Sequence, residues 1–220
     1  AYYNTPDPQT QDFLLRLQEE ILLSIEILIL ICYNKSESQY GFLQRRDRNM
    51  IFVSGVHGVG KSYFCNLVKD SVGIETYSAS ALISTKKRSG FAKNKLIPDI
   101  DENQQFLLWA VDELRTLCQN FILDGHFCLL NASGKVQRIP YGTFAMLKPD
   151  AIVLLTENPE IIASRRRKRD GIEVAVKSIE YFQREERLYA DEVARDINAK
   201  LFVSESAKDL MRAIEFIKSL

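Results

Sequence analysis

The sequence predicts an α/β fold in which a parallel sheet carries helices on both faces. Three observations predict it. From residue 50 onward, short apolar runs alternate with segments of helical periodicity. Those runs are continuously apolar, as expected of strands buried on both faces. A glycine-rich stretch, Gly55-Val56-His57-Gly58-Val59-Gly60-Lys61-Ser62, lies between the first run and the first helical segment. That stretch fits G-x4-G-K-[ST] in its required setting, strand before and helix after.

Each element follows in order. Ile51-Phe52-Val53 is the first strand, and Gly60 to Lys69 the helix after it. Ile74 to Tyr77 is a weaker second strand, followed by a helix over Ser78 to Ser89. Asp101 to Gln119 is helical, with Phe106, Leu107, Ala110, Leu114 and Leu117 on one face. Phe121-Ile122-Leu123 and Ile152 to Leu155 are the third and fourth strands. Asn158-Pro159 is an N-cap followed by proline at the first helical position, opening a helix toward Arg169. A long helix is expected over Glu173 to Asp196, a fifth strand at Leu201-Phe202-Val203, and a closing helix over Ala207 to Ser219.

Ahead of these, Gln9 to Tyr33 reads as one helix whose second half is apolar nearly all round. Such a helix requires cover from its own domain, a second subunit or a partner. Its most apolar run, Ile21 to Cys32, holds Ser24 and Glu26 and falls short of the ~20 residues that span a bilayer. No basic segment precedes it and no small-residue cleavage site follows, so a signal peptide is not expected.

Composition bounds the function. The 220 residues include 29 Lys+Arg against 29 Asp+Glu, which points away from nucleic acid and membranes as partners. Cys32, Cys65, Cys118 and Cys128 form no CxxC pair, and with His57 and His126 alone to help, a zinc cluster is not expected. Free thiols in a cytoplasmic protein are the expectation.

The glycine-rich stretch carries the chemistry. Glycines let the backbone wrap an anion with its N–H groups inward, and the helix N-terminus adds partial positive charge. Gly55, Val56, His57, Gly58, Val59, Gly60, Lys61, Ser62 and Tyr63 are the candidate ATP-binding residues. Lys61 can reach the β- and γ-phosphates and the Ser62 hydroxyl can ligate Mg²⁺. Asp124, at the carboxyl end of the third strand, is the second candidate Mg²⁺ ligand, placed where doubly wound sheets bind ligands.

With "VSGVHGVGKS", "FILDGHF", "PEIIASRRRKRDG" and the Arg187 helix, the segment from Met50 to Leu220 resembles the nucleoside monophosphate kinases of the P-loop NTPase fold, most of all archaeal-type adenylate kinase. The resemblance implies a five-stranded sheet in the order 2-3-1-4-5 and makes residues 50–220 the kinase-like domain; residues 1–49 have no counterpart in the family and are expected to form an N-terminal helical extension and linker. It implies transfer of the γ-phosphoryl group of ATP, Mg²⁺ as cofactor, and a small acceptor. Catalytic roles fall to Lys61, Asp124, Arg165, Arg169 and Arg187, with Arg167 in the same lid-like cluster. Arginine forks suit the charge spread over a transferring phosphoryl group. His126, Lys135 and Arg138 are the implied acceptor contacts, in "DGH" and the basic segment "NASGKVQRIP". The expected acceptor is a nucleoside monophosphate. Two other readings stay open: a nucleoside or sugar-nucleotide acceptor, and a regulatory nucleotide-binding ATPase acting through a homo-oligomer or protein partner at the N-terminal helix.

Overall fold

The structure, a computed structural model, describes residues 49–88, 101–131, 133–171 and 173–220. These belong to the unit Arg48–Leu220. The helix expected at Gln9–Tyr33 and the linker after it lie outside the described residues.

The described chain runs β1 Asn49–Ser54, α1 Lys61–Val72, β2 Glu75–Ser78, α2 Ala79–Arg88, α3 Glu102–Leu117 and β3 Asn120–Asp124. It continues through β4 Cys128–Leu130, β5 Val136–Arg138, α4 Tyr141–Leu147, β6 Ala151–Leu155, α5 Pro159–Asp170 and α6 Val176–Asp196. β7 Lys200–Ser204, a 3₁₀ turn at Ala207–Asp209 and α7 Leu210–Lys218 close it. The main sheet has the order β2-β3-β1-β6-β7, all parallel. Numbered by main-sheet strands alone, this is the expected 2-3-1-4-5.

Continuous apolarity is explained by burial. Every residue of β6 and all of β1 after Asn49 are buried. Successive side chains point to opposite faces of a strand, so both faces are covered. Register then aligns the strand ends: Asp124 pairs with Val53 on one side and Ser78 on the other, and Leu155 pairs with Ser204. The carboxyl ends of the strands therefore open at one edge, where the site forms.

Caps set several helix ends. Asp101 accepts from the backbone N–H groups of Asn103 and Gln104 at 2.8 and 3.2 Å, starting α3. Asn158 accepts from the Glu160 N–H at 2.7 Å, starting α5 with Pro159 in its first turn, as the sequence predicts. α6 begins later than expected. Ala175 is extended, so the helix starts at Val176 rather than Glu173. The closing helix likewise begins as a 3₁₀ turn.

Two elements are additional to the expected set. Residues 128–138 form a short antiparallel hairpin, with Cys128 opposite Arg138. Its turn is held by Asn131, whose side-chain oxygen accepts from the N–H groups of Ser133 and Lys135, both at 3.0 Å. A side chain that bonds backbone two residues on is a turn former. Strands of three residues leave too little apolar pattern to read. Helix α4 follows, burying Thr143, Phe144 and Leu147.

Beneath the site sits an aromatic cluster. Phe127 contacts Phe52 and Phe144 with ring centroids at 5.1 and 4.7 Å, and Tyr189 of α6 lies 6.1 Å from Phe127. Each such ring buries an apolar surface worth roughly 1.5–3 kcal/mol. The cluster makes a rigid floor under residues 124–127.

Candidate active site

The loop from Gly55 to Gly60 connects β1 to α1 across the open edge. Gly55 adopts φ 144°, and a Cβ there would lie 2.5 Å from the Leu155 carbonyl oxygen. No side chain fits, so the loop can turn tightly against β6 only with glycine. α1 begins at Lys61 without a side-chain cap. Its first N–H groups therefore remain available to an anion.

Lys61 extends into the site. Its Nζ donates to the Gly55 carbonyl at 2.7 Å and lies 3.4 Å from His126 Nε2 and 3.9 Å from Asp124 Oδ1. Burial lowers its pKa, while the charges of Asp124 and Glu186 oppose that shift. Asp124 moves the other way: burial raises its pKa and Lys61 opposes. The Asp124 Oδ1 atom is buried without a hydrogen-bond partner among the described residues. Only the Lys61 ammonium, 3.9 Å away, meets that oxygen's charge, and a bound cation would offset the remaining desolvation cost.

The His126 and His57 rings meet at the loop, centroids 4.4 Å apart and planes tilted 47° to each other. Burial, then Lys61 and His57, push His126 down to about 2. Burial first and Lys61 next lower His57 as well. Both rings are therefore neutral at physiological pH.

Between Asp124 and His126, Gly125 is fixed by packing. A Cβ there would meet Phe52 Cε2 at 2.7 Å and Cζ at 2.8 Å. The D-G-H stretch thus rests its middle residue on the aromatic floor and extends its outer two toward the loop.

The arginines divide. Arg165 Nη1 donates to the Val59 carbonyl at 2.9 Å, and its Nη2 to Glu157 at 3.2 Å. Arg165, Lys168 and Arg169 all line the site cavity. Arg169 forms a bidentate pair with Asp170, at 2.6 and 2.8 Å. Arg187 does not line the cavity; it faces Glu205 at 3.9 Å and is more than half exposed.

The cavity has a volume of about 1070 Å³. One side is built by residues 56–63 of the glycine loop and early α1, with α5 and the end of β7; the other is built by α2, α3, β4 and α4. On this second side the lining is largely apolar, with Ile83, Leu107, Leu129, Phe144 and Leu147. Its polar lining is Ser78 and Ser80, whose hydroxyls bond each other at 2.9 Å, with the buried Gln104, 5% exposed, and Thr143, 1% exposed. Gln104 Oε1 and Thr143 Oγ1 are both buried without hydrogen-bond partners among the described residues.

The structure thus brings together Val56 through Tyr63, Asp124, His126, Arg165 and Arg169 around one cavity. Gly55 contributes its carbonyl to Lys61. It does not bring Lys135 or Arg138 there. Arg138 instead bonds Glu192 at 2.8 Å and stacks over the Tyr189 ring. Lys135 lies at the hairpin turn.

Sequence reasoning missed Gln104, Thr143, Lys168 and Glu186. For Glu186 a signal existed. It falls on the apolar stripe Ile179, Phe182, Tyr189, Val193 of α6, where a carboxylate requires buried partners.

A family profile described as an AAA domain matches residues 54–183. The adenylate kinase of Pyrobaculum aerophilum is 32% identical over 150 residues, covering 64% of this chain and 76% of that protein. The adenylate kinase of Thermoplasma acidophilum is 26% identical over 179 residues, covering 76% of this chain and 95% of that protein. Among solved structures, shikimate kinase from Acinetobacter baumannii in complex with shikimate matches with a TM-score of 0.47 at 16% identity, covering 78% of this chain and 93% of that one.

Proposed function

The chain belongs to the family of the matched AAA domain and to the P-loop nucleoside monophosphate kinases that include the archaeal adenylate kinases, and from that premise we propose that it transfers the γ-phosphoryl group of ATP to a nucleoside monophosphate. The observation that carries this reading is the two-sided cavity. Its volume of about 1070 Å³ lies at the upper end of the ~300–1,000 Å³ typical of small-molecule sites. ATP alone needs the glycine loop side. The second side offers apolar walls and two unpaired buried polar groups, an amide and a hydroxyl, which suit the flat face and hydrogen-bonding edge of a nucleobase.

In this reading the loop N–H groups and Lys61 hold the β- and γ-phosphates. Ser62 and Asp124 would hold Mg²⁺; the unpartnered Asp124 Oδ1 fits that role. When bound, Mg²⁺ neutralises charge on the phosphate oxygens. Arg165 and Arg169 approach from α5 to meet charge on the transferring group. Neutral His126 adds no competing charge beside Lys61. The acceptor base occupies the Gln104–Thr143 side, which places its phosphate toward the loop.

A panel of nucleoside monophosphates, each assayed with Mg-ATP for ADP release, tests this. Stimulation by at least one monophosphate above the ATP-only rate is expected. A rate indifferent to every monophosphate would contradict it. One observation favours a second reading, a nucleoside acceptor. Among the described residues, the second side of the cavity is lined by no lysine or arginine, and Lys86 of α2 is paired with Glu113. Stimulation by nucleosides but not monophosphates would select that reading.

A further inference from the structure

Glu186 is a carboxylate at the centre of the molecule, 1% exposed. Burial raises its pKa, and its hydrogen bonds oppose that. Three donors converge on it. Ser54 Oγ donates to Oε1 at 2.6 Å, the Phe127 N–H to Oε1 at 2.9 Å, and the Cys128 N–H to Oε2 at 2.7 Å. His126 Nδ1 stands 3.9 Å away, outside hydrogen-bond range.

The three donors come from two structural pieces. Ser54 is the last residue of β1, directly before the glycine loop. Phe127 and Cys128 follow directly on Asp124-Gly125-His126. Glu186 itself belongs to α6. One side chain therefore ties the entrance of the phosphate loop to the exit of the segment carrying the metal-ligand candidate. β1 and β3 are neighbouring strands, but their ladder ends at Val53 opposite Asp124, with one further bond from the Gly125 N–H to the Val53 carbonyl at 3.0 Å, and Phe127 and Cys128 lie past that end. Beyond that point, Lys61 reaches from the Gly55 carbonyl toward His126 and Asp124 across the mouth of the gap, and the Glu186 bridge ties the same two pieces from the buried side. A buried, charge-assisted bridge is stiff where a surface pair is not.

We infer that Glu186 is a positioning residue: it sets the gap between the phosphate loop and Asp124 into which Mg-ATP fits. The inference rests on the kinase reading for its ligand, but its test does not need turnover. Partners that orient a ligating group typically affect metal affinity about 10–100-fold when removed.

The measurement is the affinity of the full chain for a fluorescent ATP analogue, with Mg²⁺ and with EDTA. The quantity read is the ratio of the two affinities. Glu186→Gln keeps the length but presents an N–H₂ to one of three donors. It should lower the ratio about tenfold, with affinity in EDTA within about twofold of wild type. Ser54→Ala removes only the hydroxyl tie, and should lower the ratio in the same direction by a smaller factor. A purely structural Glu186 would lower melting temperature and leave the ratio unchanged in the folded fraction. If Glu186→Gln does not fold, Ser54→Ala decides, and a wild-type ratio there overturns the inference. A wild-type protein that binds Mg-ATP but transfers to no monophosphate would defeat the kinase reading while leaving this ratio test standing.

Discussion

Lys61 has left bulk water, and its charge is met by a backbone carbonyl at 2.7 Å and a carboxylate at 3.9 Å. It is not consumed by a tight ion pair, which in the proposed reading leaves it free to meet phosphate. Lys61→Ala should reduce phosphoryl transfer by a factor on the order of 10²–10³, as loss of one preorganised donor does elsewhere. Wild-type turnover in that variant would remove the loop from the chemistry. The histidine beside it gives a pH signature. His126 has its folded pKa pushed down to about 2, while an unfolded imidazole titrates near ~6.5. The unfolded state binds the proton more readily, so the contribution of neutral His126 to stability is full above about pH 6.5 and is lost as pH falls below it. His57 is shifted the same way and keeps part of the slope. Urea unfolding of His126→Asn between about pH 4.5 and 8 should show a shallower acid decline than wild type. An identical decline would mean that His126 is protonated in the folded protein.

Elements decide which cationic residues matter. α5 points Arg165 back onto the Val59 carbonyl and into the cavity, whereas α6 carries Arg187 to the surface beside Glu205. Arg165→Ala should lower kcat and kcat/KM together, by about tenfold or more. Arg187→Ala should cost less. Equal losses from the two substitutions would show that α6 moves Arg187 onto the phosphates during turnover. The D-G-H segment after β3 is tested by Gly125→Ala. The added methyl would sit 2.7 Å from the buried Phe52 ring, and overpacking of this kind costs about 1–3 kcal/mol. A lower melting temperature together with a lower rate is expected, because Asp124 and His126 must shift with the backbone. A wild-type melting curve would show that the ring gives way freely.

Across the whole molecule, the strands were legible because double burial leaves an unbroken apolar run, as at Ile51–Val53 and Ile152–Leu155. The glycine loop was legible because its chemistry is local: glycines, a lysine and a serine adjacent in the chain. The proposed acceptor side was not. Gln104 and Thr143 lie on separate helices and meet only through packing of α3 and α4. Nothing in spacing marks either residue as buried and unpaired. Arg138 misled for the converse reason: its charge suits phosphate, but the hairpin places it against Glu192 and the Tyr189 ring. Glu186 stood between these cases, visible as a charge on an apolar stripe but not as a bridge between two loops.

The central claim is that one cavity seats two nucleotides at once. The direct measurement is calorimetric titration of a nucleoside monophosphate into protein already saturated with Mg²⁺ and a non-hydrolysable ATP analogue. Saturable binding of the monophosphate without displacement of the analogue, weakened by Gln104→Ala, is the result predicted. Binding only by displacement of the analogue, or no binding with any base, would contradict it.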